Sequence, residues 1–462
     1  MGSALCQMGK KITAIMLSAS SSRNTLWILC IIFVFCQFRP FALRNGLAKV
    51  ANNGWKNRIQ TTMPTAYIVD AVRTPIAKFA GALSSVRPDD LAAHILRELL
   101  RRNPSLDKNA VEDVIIGAAN QAGEDNRNVA RMAALLAGLP TTVPGVTVNR
   151  LCASGLQSIM DAARAIKAGE GDVYLAGGAE SMTRAPFVMA KSETAFGREL
   201  TAHDTTLGWR FVNPKLSKMH HPYAMGETAE NVARKYGITR FEQDEFAFES
   251  QRRYHRAAEK GRFRKEIVPV FVANPKGAAA LFDTDEPPRL SSMEKLATIR
   301  PAFQPVDGTV TAGNSAGIND GAAGAIVVSE DALKQYNLKP MARVVASAVA
   351  GVDPAYMGLG PVPATQKVLQ RAGLTLQDIG LIELNEAFAV QSIACIRDLD
   401  LNPEIVNVNG GSIAIGHPLG ASGSRITATL LHEMQRRENV RYGLVTMCVG
   451  IGQGAAVIYE RL

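Results

Sequence analysis

VEDVIIGAANQA, Val111 to Ala122, can be laid without a gap over LQDIGLIELNEA, Leu376 to Ala387. Asp113 and Asp378, Asn120 and Asn385, and Ala122 and Ala387 coincide, and the apolar positions between them mostly match. Two further matches follow in the same order: VTVN at Val146–Asn149 is echoed by VNVN at Val406–Asn409, and ASG at Ala153–Gly155 by ASG at Ala421–Gly423. The second copy has eight extra residues between those two points, among them His417. One such match can arise by chance; a series in one order predicts a duplication. Each copy alternates strand-like apolar runs with helical spacing, as βαβ units do, so the expectation is a duplicated α/β fold with mainly parallel central strands. Between the copies, from about Arg184 to Pro301, the texture turns polar. A long helix is predicted at Arg240–Gly261, beside charged loops such as LFDTDEPPRLSSMEK. This part reads as an insertion covering the core.

The chain of 462 residues is long enough for two or three domains, and its 47% hydrophobic and 20% charged residues are ordinary for a globular protein. The formal charge of +9 is unevenly placed. Residues 1–62 hold eight Lys and Arg and no acid; without those eight, 43 basic residues face 42 acidic ones. A basic nucleic-acid face therefore has little support, and no nucleic-acid partner is expected. The opening segment also contains TLWILCIIFVFCQF, Thr25 to Phe38, an apolar run shorter than the ~20 residues a membrane-spanning helix needs. It reads as a signal or transit segment or, preferably, as an upstream start, with the folded protein beginning at Met63. Cys6, Cys30 and Cys36 lie there, leaving Cys152, Cys395 and Cys448 in the body. Three cysteines over so long a body make no disulfide framework; a reducing, cytoplasmic compartment is expected.

Cys152 sits between a short strand, GVTVN, and a helix with apolar residues at Leu156, Ile159, Met160, Ala163 and Ile166. The small residues Ala153, Ser154 and Gly155 are expected to leave the first turn open to a ligand. A cysteine at a helix N-terminus feels the dipole and free amides, which favour the thiolate; the other reading is an inert buried cysteine. GGSIAIGHPLGASG, Gly410 to Gly423, has five glycines around His417, which suits either close backbone approach to a ligand or a turn with a solvated histidine. CVGIGQG places Cys448 at the end of an apolar strand. Its GIGQG resembles part of a dinucleotide fingerprint, but AAVIYE after it reads as a returning strand rather than a helix. GNSAG, Gly313 to Gly317, matches the G-x-S-x-G of serine hydrolases and follows the strand-like GTVTA, so a hydrolase built on Ser315 is the alternative enzyme. No metal site is expected: there is no C-x-x-C, and His220-His221 lack a spaced partner.

NRLCASG, NEAFA, GGSIAIGHPLGASG and CVGIGQG, in this order, resemble the four signature blocks of the thiolases, over a stretch from about Met63 to the C-terminus. The resemblance implies a five-layered α-β-α-β-α core, with halves at 63–185 plus 310–335 and at 336–462. It also implies a coenzyme-A-binding loop domain at 186–309, residues 1–62 lying outside the fold. It implies cleavage of a 3-ketoacyl-CoA by coenzyme A, or the reverse Claisen condensation, with coenzyme A as substrate and no permanent cofactor. Cys152 would carry the acyl group, and His417 would activate it and help polarise a thioester oxygen. Asn385 would hold a water at that oxyanion site, and Cys448 would move the proton at the substrate's C2. The amides of Cys152 and Gly450 would form a second oxyanion hole. Arg289 matches a family arginine near the nucleotide 3′-phosphate. Met225 and Phe388 would line the acyl pocket, core packing being the other reading.

Two departures stand out. Many thiolases have NAS where this chain has NSA, so Ala316 occupies the place of the serine that meets pantetheine, with Ser315 beside it. Acetoacetyl-CoA specialists have a histidine where this chain has Ala224. NQAGEDNRNVARMA and DTTLGWRF resemble the 3-oxoadipyl-CoA thiolases, which makes that substrate the first expectation. Family members are homodimers or homotetramers, and the same is expected here. A lipid-binding relative without activity would be expected to lack one of Cys152, Asn385, His417 and Cys448, and all are present. A ketoacyl synthase would use one Cys with two His, or with His and Asn, and the second cysteine speaks against it.

Overall fold

The computed structural model describes residues 64–273 and 278–462; the reading of residues 1–62, with Cys6, Cys30 and Cys36, lies outside them. The first copy runs through β1 (Tyr67–Arg73), α1 (Pro88–Arg102), β2 (Asp113–Gly117), α2 (Val129–Leu136), β3 (Gly145–Val148), α3 (Ser154–Ala168) and β4 (Val173–Ser181). The intervening segment contains α4 (Met225–Tyr236) and α5 (Arg240–Glu259), after which β5 (Asn319–Val328) returns to the sheet. The second copy consists of β6 (Ala342–Gly351), α6 (Pro361–Ala372), β7 (Ile379–Leu384), α7 (Ala389–Asp398), α8 (Leu419–Arg436), β8 (Tyr442–Val449) and β9 (Gln453–Arg461). The predicted long helix is α5, begun by a capping box in which Thr239 and Glu242 satisfy each other's backbone amides.

The duplication is visible in the strand order. The first copy reads β1-β5-β4-β2-β3 and the second β6-β9-β8-β7, with a parallel bridge from Ile382 to Val406 where the first copy has β3. In each, the outer pairs (β4 with β2, β2 with β3, β8 with β7) are parallel and the inner pairs (β1 with β5, β5 with β4, β6 with β9, β9 with β8) antiparallel. The expectation of mainly parallel strands is therefore corrected: the sheets are mixed. The reason is local. Only three residues, Gly450–Gly452, link β8 to β9, and so short a link can only turn the chain back antiparallel. Its counterpart β5 takes the same place after the long insertion. The two half-sheets meet where Tyr67 and Ile68 pair with Arg343 and Ala342.

Strand alternation separates three apolar layers. Ile68 and Ala71 of β1 and Ala455, Val457 and Tyr459 of β9 face a central layer with Leu156, Ile159 and Met160 of α3 and Leu430, Leu431 and Met434 of α8. Val69 and Val72 face the opposite way, onto α1 and α2. Ala456 and Ile458 face α6 and α7. Helix, sheet, helix pair, sheet and helix make five layers.

The two central helices touch at the echoed ASG segments. A Cβ on Gly155 would lie 2.6 Å from the Gly420 carbonyl oxygen, and one on Gly423 would lie 2.3 Å from the Leu156 nitrogen. Gly155, with the buried Ala153 and Ser154, thus serves helix contact rather than the open turn expected for a ligand.

Candidate functional site

Each catalytic candidate is placed by the end of a buried element. Leu151–Ala153 form a single 3-10 turn ahead of α3, and Leu151 takes a left-handed φ of +47°. Ile451, next to Gly450 in the β8–β9 turn, has φ of +61°. Two branched residues held in this disfavoured region on either side of the site mark a geometry maintained by its surroundings. Between them the Gly450 amide is near enough to the Cys152 sulfur to favour its thiolate. Cys448, buried at the end of β8, is close enough that the charges of the two thiols would repel.

Burial disfavours the thiolate form of both cysteines in the free protein. Cys152 keeps some exposed surface, yet burial pushes its thiol up to about 11, outweighing the amide contacts with Gly450 and its own nitrogen that pull it down. Burial, and then the neighbouring Cys152, pushes Cys448 well above an ordinary thiol. The expected thiolate at a helix N-terminus is thus corrected: desolvation exceeds a dipole effect of about 0.3–1 kcal/mol.

His417 is neutral. Burial, followed by the Arg425 charge, lowers it to about 3. Its tautomer follows from its partners. Ser422 Oγ donates its one proton to the Pro418 carbonyl at 2.8 Å, so at 2.6 Å it accepts from His417 Nδ1–H. That leaves Nε2 as the acceptor nitrogen, 3.4 Å from Asn385 Nδ2. Ser412 Oγ donates to Asn385 Oδ1 at 2.7 Å, and Arg425 Nη2 donates to Ser412 Oγ at 2.5 Å. The His417 amide donates to Asn319 Oδ1 at 2.9 Å. A solvated histidine in a turn is thereby excluded.

A cavity of about 350 Å³ opens beside Cys152. It is lined by Leu151, Met182, Trp209, Met225, Gly450 and Ile451 among others. Met225, the first residue of α4, therefore stands where an acyl pocket was expected. Phe388 packs in the core cluster that contains Cys448, edge-to-face on Phe303 at 6.3 Å. Arg289 lines a different cavity, of about 330 Å³, with Gln251, Leu290, Lys295 and Gly313, and its guanidinium donates to the Ala312 carbonyl at 3.0 Å. From Gly313 the chain runs on to Ser315, which bridges to Phe388 of the NEAFA loop, and Ala316, whose amide donates to the Ala387 carbonyl at 3.0 Å.

The serine-hydrolase alternative fails on geometry. GTVTA forms no strand beyond a bridge at Thr311, and the strand β5 rather than a helix follows GNSAG. The buried Ser315 Oγ has no hydrogen-bond partner and thus no base to activate it. Among the described residues no cluster of His, Cys, Asp and Glu suits a metal ion, and no helix is long and apolar enough to cross a membrane.

Sequence reasoning missed Ser412, Ser422, Arg425 and Asn319, because their roles appear only as partners of other side chains. It also missed Glu180, whose buried carboxylate accepts amides of Ala119 at 2.8 Å, Asn120 at 3.1 Å and Gly420 at 2.8 Å. That anchor ties the chain after β2 to the start of α8.

A partly exposed thiol in the wall of a substrate-sized cavity, close to a backbone amide and to a second thiol, is the arrangement of a thiol-dependent acyl-transfer site, and the neutral His417 lies two residues before Leu419 of the same wall. The thiolase N-terminal domain matches residues 66–331 and the thiolase C-terminal domain residues 338–461. The chain is 54% identical to a beta-ketoadipyl-CoA thiolase of Acinetobacter baylyi, over 87% of this chain and all of that protein. It is 55% identical, with the same coverage, to a 3-oxoadipyl-CoA/3-oxo-5,6-dehydrosuberyl-CoA thiolase of Escherichia coli K12. Among solved structures, the Bacillus anthracis acetyl-CoA acetyltransferase superposes with a TM-score of 0.80 at 43% identity, covering 87% of this chain and 99% of that one. Human mitochondrial 3-ketoacyl-CoA thiolase in complex with CoA gives 0.80 at 40% identity, covering 87% and 98%. The chain belongs to the thiolase family. It is an acyltransferase that exchanges acyl groups between 3-ketoacyl-CoA and coenzyme A.

Proposed function

We propose that the chain cleaves 3-oxoadipyl-CoA with coenzyme A to acetyl-CoA and succinyl-CoA, through an acyl-enzyme on Cys152. The observation that carries this is that Cys152 and Gly450 share the wall of one cavity, with the Gly450 amide and the Cys448 thiol both near the Cys152 sulfur. Relatives of full length that are 54–55% identical and carry this substrate in their names support the choice of acyl chain.

In this reading Nε2 of neutral His417 takes the Cys152 proton as the sulfur attacks the C3 ketone. The C2–C3 bond breaks, its electron pair goes to C2, and Cys448 supplies the proton that completes acetyl-CoA. Protonated Nε2 and a water on Asn385 stabilise the thioester oxygen as the C2 carbanion forms. Cys448 then takes the proton of the incoming coenzyme A thiol, whose sulfur attacks the acyl-enzyme; the Cys152 sulfur leaves with the bonding pair and regains its proton from His417 Nε2. The amides of Cys152 and Gly450 hold the acyl oxygen.

We assign coenzyme A to the segment 186–309, with Arg289 and Lys295 on its phosphates and the unpartnered Ser315 Oγ, next to Ala316, toward pantetheine. The halves would be 63–185 with 310–335, and 336–462. Met225 would contact the acyl chain, with Phe388 behind it. No permanently bound cofactor is proposed. Unpaired Cys152, Cys395 and Cys448 favour a reducing compartment, and we place the enzyme in the cytoplasm. The edge strand β3, with Val146 at 42% exposure, and the exposed Leu135 and Leu136 of α2 support a homodimer or homotetramer.

The test compares kcat/KM for 3-oxoadipyl-CoA and acetoacetyl-CoA on one preparation. Preference for 3-oxoadipyl-CoA is expected. Equal or better acetoacetyl-CoA cleavage would make the chain a general acetyl-CoA acetyltransferase, and cleavage of neither would remove the short-chain reading.

A further inference from the structure

The cavity beside Cys152 holds two charged side chains, Glu180 and Arg210. Glu180 is committed to the three backbone amides named above and sits in the wall. Arg210 is different. It is half-buried, and among the described residues no carboxylate pairs with it and no hydrogen bond uses its guanidinium. Its neighbour is fixed: Trp209 Nε1 donates to the Tyr223 carbonyl at 3.0 Å, which ties this loop to the residues just before α4. A half-buried cation is desolvated in part, and its remaining demand is for an anion. Most of the surface of the cavity that Arg210 shares with Cys152 is apolar, with Leu151, Met182, Leu207 and Met225 among its lining, which suits methylene groups.

We propose that Arg210 binds the distal carboxylate of a dicarboxylic 3-oxoacyl chain, and so selects acid-ended acyl groups over alkyl-ended ones of equal length. This rests on the acyl-enzyme at Cys152 proposed above. A chain with a terminal carboxylate two methylenes beyond the carbon that Cys152 attacks places its charge away from the thiol, in the same cavity. A guanidinium suits it because it stays charged and meets a carboxylate with two parallel N–H donors. In the reading above, the phosphates of coenzyme A go to Arg289 and Lys295, which line the other cavity.

The readout is the ratio of kcat/KM for 3-oxoadipyl-CoA to that for 3-oxohexanoyl-CoA, which has a methyl group in place of the terminal carboxylate. In the unmodified enzyme the ratio is expected above one. Arg210→Gln should lower it by about 10- to 100-fold, the range for a charge-assisted hydrogen bond, and Arg210→Lys should lower it less. A ratio unchanged in both variants overturns the proposal, whether the rates hold or fall together as they would for a phosphate contact. If Arg210→Gln does not fold, an unchanged ratio in Arg210→Lys overturns it alone. Cleavage of 3-oxohexanoyl-CoA but not of 3-oxoadipyl-CoA by the unmodified enzyme would instead remove the substrate reading, and the anchor with it. Cleavage of both with an insensitive ratio removes only the anchor.

Discussion

Asn385 Nδ2 lies 3.4 Å from His417 Nε2, and each side chain is fixed from behind by a serine, Ser412 on the asparagine oxygen and Ser422 on Nδ1. The donors run in one direction, from Arg425 through Ser412 and Asn385 to His417, and from there through Ser422 to the Pro418 carbonyl. Arg425 starts the chain because a guanidinium can only donate. Asn385 therefore has to present its NH₂ to the site.

Removing the Ser412 hydroxyl frees that amide to flip. Ser412→Ala should lower kcat about two- to thirteenfold, the worth of a hydrogen bond of about 0.5–1.5 kcal/mol, with KM for coenzyme A within about twofold. Steady-state thiolysis checks this; a rise in KM with kcat intact would point to substrate binding instead.

The two thiols should separate by mass spectrometry. Incubation with a 3-ketoacyl-CoA should add an acyl mass to the protein, and Cys152→Ala should abolish it. Cys448→Ala should keep a thiol able to accept an acyl group from a reactive thioester, while overall turnover falls by at least about 10²-fold, as expected for a lost general acid and base. Ser315→Ala should leave the acyl mass in place.

Alkylation of Cys152 reports its resting state. With the thiol raised to about 11 and His417 lowered to about 3, the proton stays on sulfur at neutral pH. The iodoacetamide rate of the free enzyme should thus climb about tenfold per pH unit between pH 6 and 8, following the thiolate fraction. A rate flat across that range would reveal an imidazolium–thiolate pair.

The helix contact at the echoed glycines has no room for a methyl group. Gly155→Ala would set a Cβ 2.6 Å from a backbone oxygen, which a side-chain rotation cannot relieve. A loss of about 1–3 kcal/mol is expected from overpacking, seen as a lower Tm by calorimetry. An unchanged Tm would mean that α3 and α8 shift freely.

The duplication, the helix positions and the residues with reactive groups are all local properties, and they could be read from order and spacing alone. Val111–Ala122 and Leu376–Ala387 do become matching strands and turns, and Arg240 does begin a long helix. Strand direction was less legible, because the antiparallel return of β5 follows an insertion whose length says nothing about where it re-enters the sheet. The state of Cys152 could not be read either. Its pKa depends on how completely the fold removes water, and that outweighs the local helix end. The roles of Ser412, Ser422 and Arg425 likewise exist only once α8 and the NEAFA loop are packed together. Sequence by itself determined which atoms can react; burial and the direction of hydrogen bonds, set by the packing of distant segments, decided which of them are charged, which are held and which face the cavity.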